Sequence, residues 1–356
     1  MIITEAKLRQ VVTRMLGRAG SSAYEAEVVT DHLVRANLTG HDSHGVGMLP
    51  TYMRNLNKGI LKPNQHPELA KDSGNIMMYD GLEGYGQVQA KEAMAGAIAR
   101  AKESNLVLMT LRNSHHIGRI GTYGEMAIEA GLISIHFVNV VDHGPTVAPY
   151  GGTQARFVTN PVCIAIPGTS QTKAILLDMA TSKIALGKAR VAKNKGVPVP
   201  DNSVIDAEGL PTNNPNVLFE EPQGSLLPFG DYKGTGLALV CEILAGALSG
   251  GGTIQPGNKR RGGTTNNMFT VIVKPDALVD YSYLNYEIDE LVRYVKDTPA
   301  QLETGPVRIA GEPERLAFAE RSQAGISLEQ STWEQIIEAA QSIGFAASEI
   351  EQILAP

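Results

Sequence analysis

The sequence predicts an α/β protein with helical ends and a strand-bearing middle. Three observations lead to that class. Apolar residues recur at helical spacing near the start (Ala26, Val29, Leu33, Ala36), and helical patterning returns from residue 282 onward. Between them lie short apolar runs bounded by turn residues. A strand–loop–helix–strand order over 106–140 then puts residues 113–121 at a strand end, where α/β proteins commonly carry their sites.

Residues 4–58 read as helices. Thr4 caps the first, Ser22 and Glu25 form a capping box for the second, and Gly40 ends it. Residues 41–47 follow as a loop, and a short helix through Tyr52 and Leu56 stops near Gly59. Strands are predicted over 75–79, 106–111, 132–140, 162–166, 174–179 and 268–273. Helices are predicted over 87–103 and 123–130, with a Gly- and Ala-rich one over 233–248. Residues 250–263 hold six glycines and the Lys259, Arg260, Arg261 cluster, and read as a mobile loop. This element order suggests two domains: the helical ends packed together (1–75 with 285–356), and the middle (76–284).

The bulk properties narrow the function. At 356 residues the chain can bury a large core. A formal charge of -6 gives no general basic face for nucleic acid. No run approaches the ~20 apolar residues of a membrane helix, and the start of the chain has no apolar signal core, so the expected compartment is the cytoplasm. Cys163 and Cys241 sit in apolar runs and read as buried free thiols.

No G-x-G-x-x-G, P-loop lysine motif, G-x-S-x-G elbow, H-E-x-x-H or C-x-x-C occurs, so no metal site is predicted from motifs. What stands out is histidine. Seven of the eight fall between residues 41 and 143, concentrated in His41-Asp42-Ser43-His44-Gly45 and Asn113-Ser114-His115-His116-Ile117-Gly118-Arg119. Imidazole is the side chain best suited to moving a proton near neutral pH. In the first run His44 is the better acid/base candidate, because Gly45 lets a substrate approach; the plain alternative is a helix end, which suits His41. In the second, Gly118-Arg119-Ile120 opens a helix, where backbone N–H groups and the Arg119 guanidinium suit an anion. The alternative there is a tight turn. Asp142 and His143 follow the next strand and read as a turn or a converging site edge. Asp178 reads as a ribose contact or a helix cap, and Lys233 as a phosphate contact or an ordinary exposed lysine.

Taken together these runs resemble the type-2 malate/L-lactate dehydrogenase family, which includes 2-hydroxycarboxylate and ureidoglycolate dehydrogenases and diketogulonate reductase. The matching residues are Ser43-His44-Gly45-Val46, Asn113 to Gly118, Thr159-Asn160-Pro161, Leu177-Asp178-Met179-Ala180-Thr181-Ser182, Tyr232-Lys233-Gly234 and Gly311-Glu312. The resemblance implies a non-Rossmann nicotinamide-binding domain with a mixed sheet, beside a discontinuous, mainly helical domain. It implies a homodimer that interconverts a small 2-hydroxy acid and its 2-oxo acid. His44 then matches the proton donor/acceptor, with a place in the cofactor site as well, and His116 matches the second family histidine. Gly118, Arg119, Ile120, Leu176, Leu177, Asp178, Met179, Ala180, Tyr232, Lys233, Ala310, Gly311 and Glu312 match cofactor-binding segments. Glu312 tilts the cofactor toward NAD and the basic loop toward NADP. Many members carry arginine where this chain has Met48, so either Arg54 or Arg119 meets the substrate carboxylate, with Ser43 and Asp142 nearby, or the substrate's polar end differs. The alternatives are a ureidoglycolate- or imine-type reductase on the same scaffold, a histidine-ligated metal-dependent lyase or hydrolase, and a binding protein without catalysis.

Overall fold

A computed structural model describes residues 1–258, 260–302 and 305–355. The chain opens with a two-residue strand β1 (Ile2–Ile3) and three helices, α1 (Glu5–Arg18), α2 (Ala23–Leu38) and α3 (Leu49–Asn57). Ser22 caps α2 by accepting the Glu25 N–H. The reciprocal half of the expected box is absent, because the Glu25 carboxylate instead accepts the Asn64 N–H. Residues 41–48 form two short 3-10 turns rather than an open loop.

The middle supplies β2 (Glu68–Ser73), β3 (Ile76–Asp80), α4 (Gly86–Ser104), β4 (Leu106–His115), α5 (Gly121–Glu129), β5 (Ile133–Val141), β6 (Val162–Ile166) and β7 (Ile175–Met179). There follow α6 (Leu186–Lys195), the short strands β8 (Val204–Ile205), β9 (Pro211–Thr212) and β10 (Ser225–Leu226), then α7 (Tyr232–Cys241) and β11 (Thr265–Val273). The chain ends with α8 (Tyr281–Lys296), α9 (Glu312–Ala324), β12 (Ile326–Ser327), α10 (Gln330–Gln341) and α11 (Ala347–Leu354).

Seven strands form one mixed sheet in the order β2-β3-β4-β11-β5-β6-β7, in which only β3 and β4 run parallel. The strand β2 was not foreseen; all six of its residues are exposed, so it carries no alternating apolar signal. The predicted helix over 233–248 is α7 followed by a π-helical turn, Glu242–Ala247. The predicted mobile loop is fastened at two points: Arg260 Nη2 donates to the Ile254 carbonyl (2.6 Å), and Arg261 pairs with Glu83 and Asp142. Lys259 lies outside the described residues.

Burial explains the placement of the layers. One apolar cluster joins α1, α2 and α3 to residues from the other end of the chain, including Ile326, Trp333, Ile336, Phe345 and Ile350. The pairing of β1 with β12 ties the two ends together. A second cluster lies beneath the sheet, where the small face of α4 (Ala90, Ala93, Ala97, Ala101) packs closely on Val107, Met109 and Leu111. The site described next lies where these two bodies meet.

Candidate active site

The sheet aims the second histidine run by a defect. β4 was predicted to end at residue 111, yet it pairs with β11 through His115. The ladder shifts register between Asn266 and Met268, so Arg112 and Asn113 of β4 bulge opposite the single residue Asn267, with Asn113 at φ 53°. Its N–H, displaced from the ladder, is taken by Asn267 Oδ1 at 3.0 Å. Bulges re-aim side chains in this way, and here the strand delivers His115 and His116 toward the helical layer.

His116 is buried and both of its nitrogens are engaged: Nδ1 with the Tyr52 hydroxyl (2.7 Å) and Nε2 with His44 Nδ1 (3.3 Å). The two imidazoles stack, with centroids 5.3 Å apart and planes 15° apart. Tyr52 comes from α3 and is held by Gln87 Nε2 at 2.7 Å, from the first turn of α4. Adjacent His115 takes a different path, its Nε2 meeting Asn55 Nδ2 at 2.9 Å.

The turn bearing His44 is fixed from below. Asn37 Oδ1 accepts the Val46 N–H (2.9 Å), and Asn37 Nδ2 donates to Asp42 (2.7 Å), which also binds Arg321. Gly45 is required here, since a Cβ would lie 2.2 Å from Asn37 Oδ1. His44 stays partly exposed, with its Nε2 free of protein partners among the described residues. Burial, followed by the charges of His41 and Arg119, pushes its pKa down to about 4. Burial first and then His44 push His116 well below the ordinary imidazole value. Both rings are therefore neutral near pH 7.

The cofactor-matching segments also converge. Gly121 N donates to Asp178 Oδ2 (2.8 Å), linking the start of α5 to β7, the edge strand of the sheet. Leu176 N donates to the Ala310 carbonyl (3.2 Å), which brings residues 310–312 alongside. Phe229 N donates to the Thr181 carbonyl (3.0 Å), which sets the start of α7 next to residue 180, with Tyr232 and Lys233 both exposed.

Several expected roles give way. The Arg119 side chain is wholly buried, paired with Glu125 at 2.9 Å and facing Asp178 at 3.6 Å, so its guanidinium meets these carboxylates and not solvent. Its backbone matters instead: Arg119 N donates to His32 Nε2 (2.9 Å). Arg54 is exposed and touches Thr51 Oγ1; two residues past Tyr52 on the same helix, it points nearly opposite to the histidine pair. Asp142 is buried and accepts both the N–H and the side chain of Arg261, so it anchors a loop. Glu312 is held by Lys296 and the Ile309 N–H. Ser43 packs against Gly187 at the start of α6. Met48 packs half-buried on the helical core, so its volume is spent on packing. Among the described residues no three His, Cys, Asp or Glu side chains are grouped to hold a metal ion.

Sequence reasoning missed Tyr52, Gln87 and Asn37. One signal was present: the cluster Gly81, Gly84 and Gly86 at the start of α4. A Cβ at Gly86 would lie 2.3 Å from the His115 carbonyl oxygen, so this glycine lets α4 approach the histidine backbone.

The family described as malate/L-lactate dehydrogenase matches residues 3–337. The chain belongs to that family. Within it, the chain is 43% identical to hydroxycarboxylate dehydrogenase B of Escherichia coli strain K12, over 95% of this chain and 93% of that protein. It is 40% identical to L-lactate dehydrogenase of Cupriavidus necator, over 97% and 99%. The solved sulfolactate dehydrogenase of Methanocaldococcus jannaschii superposes with a TM-score of 0.84 at 31% identity, covering 99% of each chain.

Proposed function

We propose that this chain interconverts a small 2-hydroxycarboxylate and its 2-oxo acid, with a nicotinamide dinucleotide as hydride partner. The observation that carries this reading is His44: a neutral imidazole, partly exposed, with one nitrogen anchored on buried His116 and the other free. In the oxidative direction His44 Nε2 takes the hydroxyl proton of the substrate; in the reductive direction it returns that proton to the carbonyl oxygen. His116 has no nitrogen left for the substrate, so its role is to orient His44.

The donor set suits a dinucleotide. Exposed Tyr232 and Lys233 offer a hydroxyl and an ammonium to phosphate, while Leu177, exposed on the sheet edge, offers apolar surface to a ring. Leu176, Asp178, Met179 and Ala180, with Gly118 to Ile120 and Ala310 to Glu312, build the wall around them. When bound, the cofactor supplies or accepts the hydride. Lys296 pairs with Glu312 and offsets the charge that would repel a 2′-phosphate, so the site admits NAD or NADP. Mixing the protein with NADH or NADPH and a panel of 2-oxo acids is expected to consume nicotinamide absorbance with at least one acid. Silence with every acid and both cofactors overturns the reading.

We assign the chain to two units, 1–75 with 285–356 and 76–284, on the strength of the apolar cluster shared by both ends. We also infer a homodimer. α7 and the turn after it leave Leu239, Ile243 and Leu248 each at least half exposed, an apolar stripe that a second copy would cover. Light scattering is expected to give twice the 38.0 kDa chain mass, and Leu239→Lys with Ile243→Lys to give the single mass; a native single mass refutes the dimer.

A further inference from the structure

We propose that Tyr52 and Gln87 are positioning residues that set, through His116, which ring nitrogen of His44 carries its proton. The proposal rests on the reading of His44 as the group that exchanges a proton with the substrate.

Gln87, Tyr52, His116 and His44 form an unbranched hydrogen-bonded chain, with links of 2.7, 2.7 and 3.3 Å. The first three members are buried, at 1%, 0% and 7% exposure. A tyrosine hydroxyl has one proton, and a neutral imidazole has one donor nitrogen and one acceptor. The direction of the first link therefore sets the direction of all the others.

Two directions exist. If the Gln87 amide nitrogen faces Tyr52, the hydroxyl donates to His116 Nδ1. His116 then donates from Nε2 to His44 Nδ1, and the single proton of His44 sits on Nε2. In that state the nitrogen free of protein partners has no lone pair to take a substrate proton. If the amide oxygen faces Tyr52, every link reverses. His44 then donates Nδ1–H to His116 and leaves Nε2 bare.

Only the second direction serves the chemistry. The substrate O–H bond breaks, an N–H bond forms at His44 Nε2, and the resulting imidazolium keeps its Nδ1–H donated to His116. In the first direction that imidazolium would set two N–H groups against each other. His116 suits the acceptor role, since burial keeps it neutral. The amide of Gln87 offers either end to Tyr52 by a half-turn. With Nε2 toward Tyr52, Oε1 is buried without a partner, so neither orientation is locked by other contacts of the amide among the described residues. The working enzyme holds the amide oxygen toward Tyr52.

The test is 15N NMR of the full chain labelled at histidine, with His44 and His116 assigned through single substitutions. The expected result at neutral pH is a proton on Nδ1 and a bare Nε2 in both rings. In Tyr52→Phe and, independently, in Gln87→Leu, His44 is expected to become a mixture of tautomers. In both variants kcat falls on the order of tenfold with KM for the oxo acid unchanged, as for one lost orienting hydrogen bond. A His44 proton on Nε2 in the native protein, or native tautomers in both variants, overturns the proposal. The spectra need no turnover, so this failure is distinct from failure of the dehydrogenase reading, which shows as absent cofactor oxidation with native tautomers as expected.

Discussion

Replacing His44 with alanine is expected to lower kcat about 10²–10⁴-fold in both directions, the usual contribution of a positioned general acid–base. The fold, followed by circular dichroism, should be retained, because His44 contributes no buried apolar contact to either core. The pH profile provides a second check. With its pKa held near 4 by burial, the neutral base form of His44 predominates throughout the neutral range. Oxidation rates should therefore be level from pH 7 to about 5, with no imidazole step near the ordinary value of about 6.5. A His44→Ala enzyme with near-native kcat at saturating substrate removes His44 from the mechanism.

The second large effect is loss of stability in mild acid. His32, His115 and His136 are each at most 4% exposed, and burial pushes each pKa down to about 3. Above pH 6.5 these rings are neutral in the folded and unfolded chain alike and contribute nothing to the pH dependence. Between 6.5 and 3 the unfolded chain takes up protons that the folded chain refuses. Stability is thus lost as pH falls, by up to ~1.4 kcal/mol per unit for each histidine. Glu25 and Asp178, whose carboxyls burial raises, act in the opposite sense. Each adds stability as pH falls from its raised folded value toward about 4, so the two carboxyls offset part of what the three histidines lose. Against a total of roughly 5–15 kcal/mol, the loss should bring acid unfolding near pH 5. Urea midpoints at pH 7, 6 and 5 measure it. His136→Gln, which removes one ring from the Thr270 and Ser134 hydroxyls, should reduce the slope by about one histidine's share. A midpoint constant from pH 7 to 5 contradicts the assignment.

Much of this site was legible because its pieces are local. His44 follows a helix end and precedes a glycine whose place cannot hold a side chain, and both features lie in five consecutive residues. His116 follows a buried apolar run, which marks it as a strand-end residue. Arg119 shows the limit of such reading: a turn that opens a helix suits an anion, but whether the guanidinium faces outward depends on Glu125 and Asp178, and Asp178 lies 59 positions further on. The extension of β4 to His115 was hidden for a similar reason. Polar residues 112–114 break the apolar run, and only pairing with β11, more than 150 residues later, keeps them in the sheet.

The sequence by itself determined the α/β class, the helical ends, the two histidine runs and the family resemblance, since each depends on periodicity or on residues adjacent in the chain. Tertiary structure alone decided what His44 leans on. Tyr52 and Gln87 carry no motif, and they reach His116 only because α3 and α4 press them against a bulged strand. Pair contacts between distant segments leave no period in the sequence, and the tautomer of a catalytic imidazole is set by such contacts.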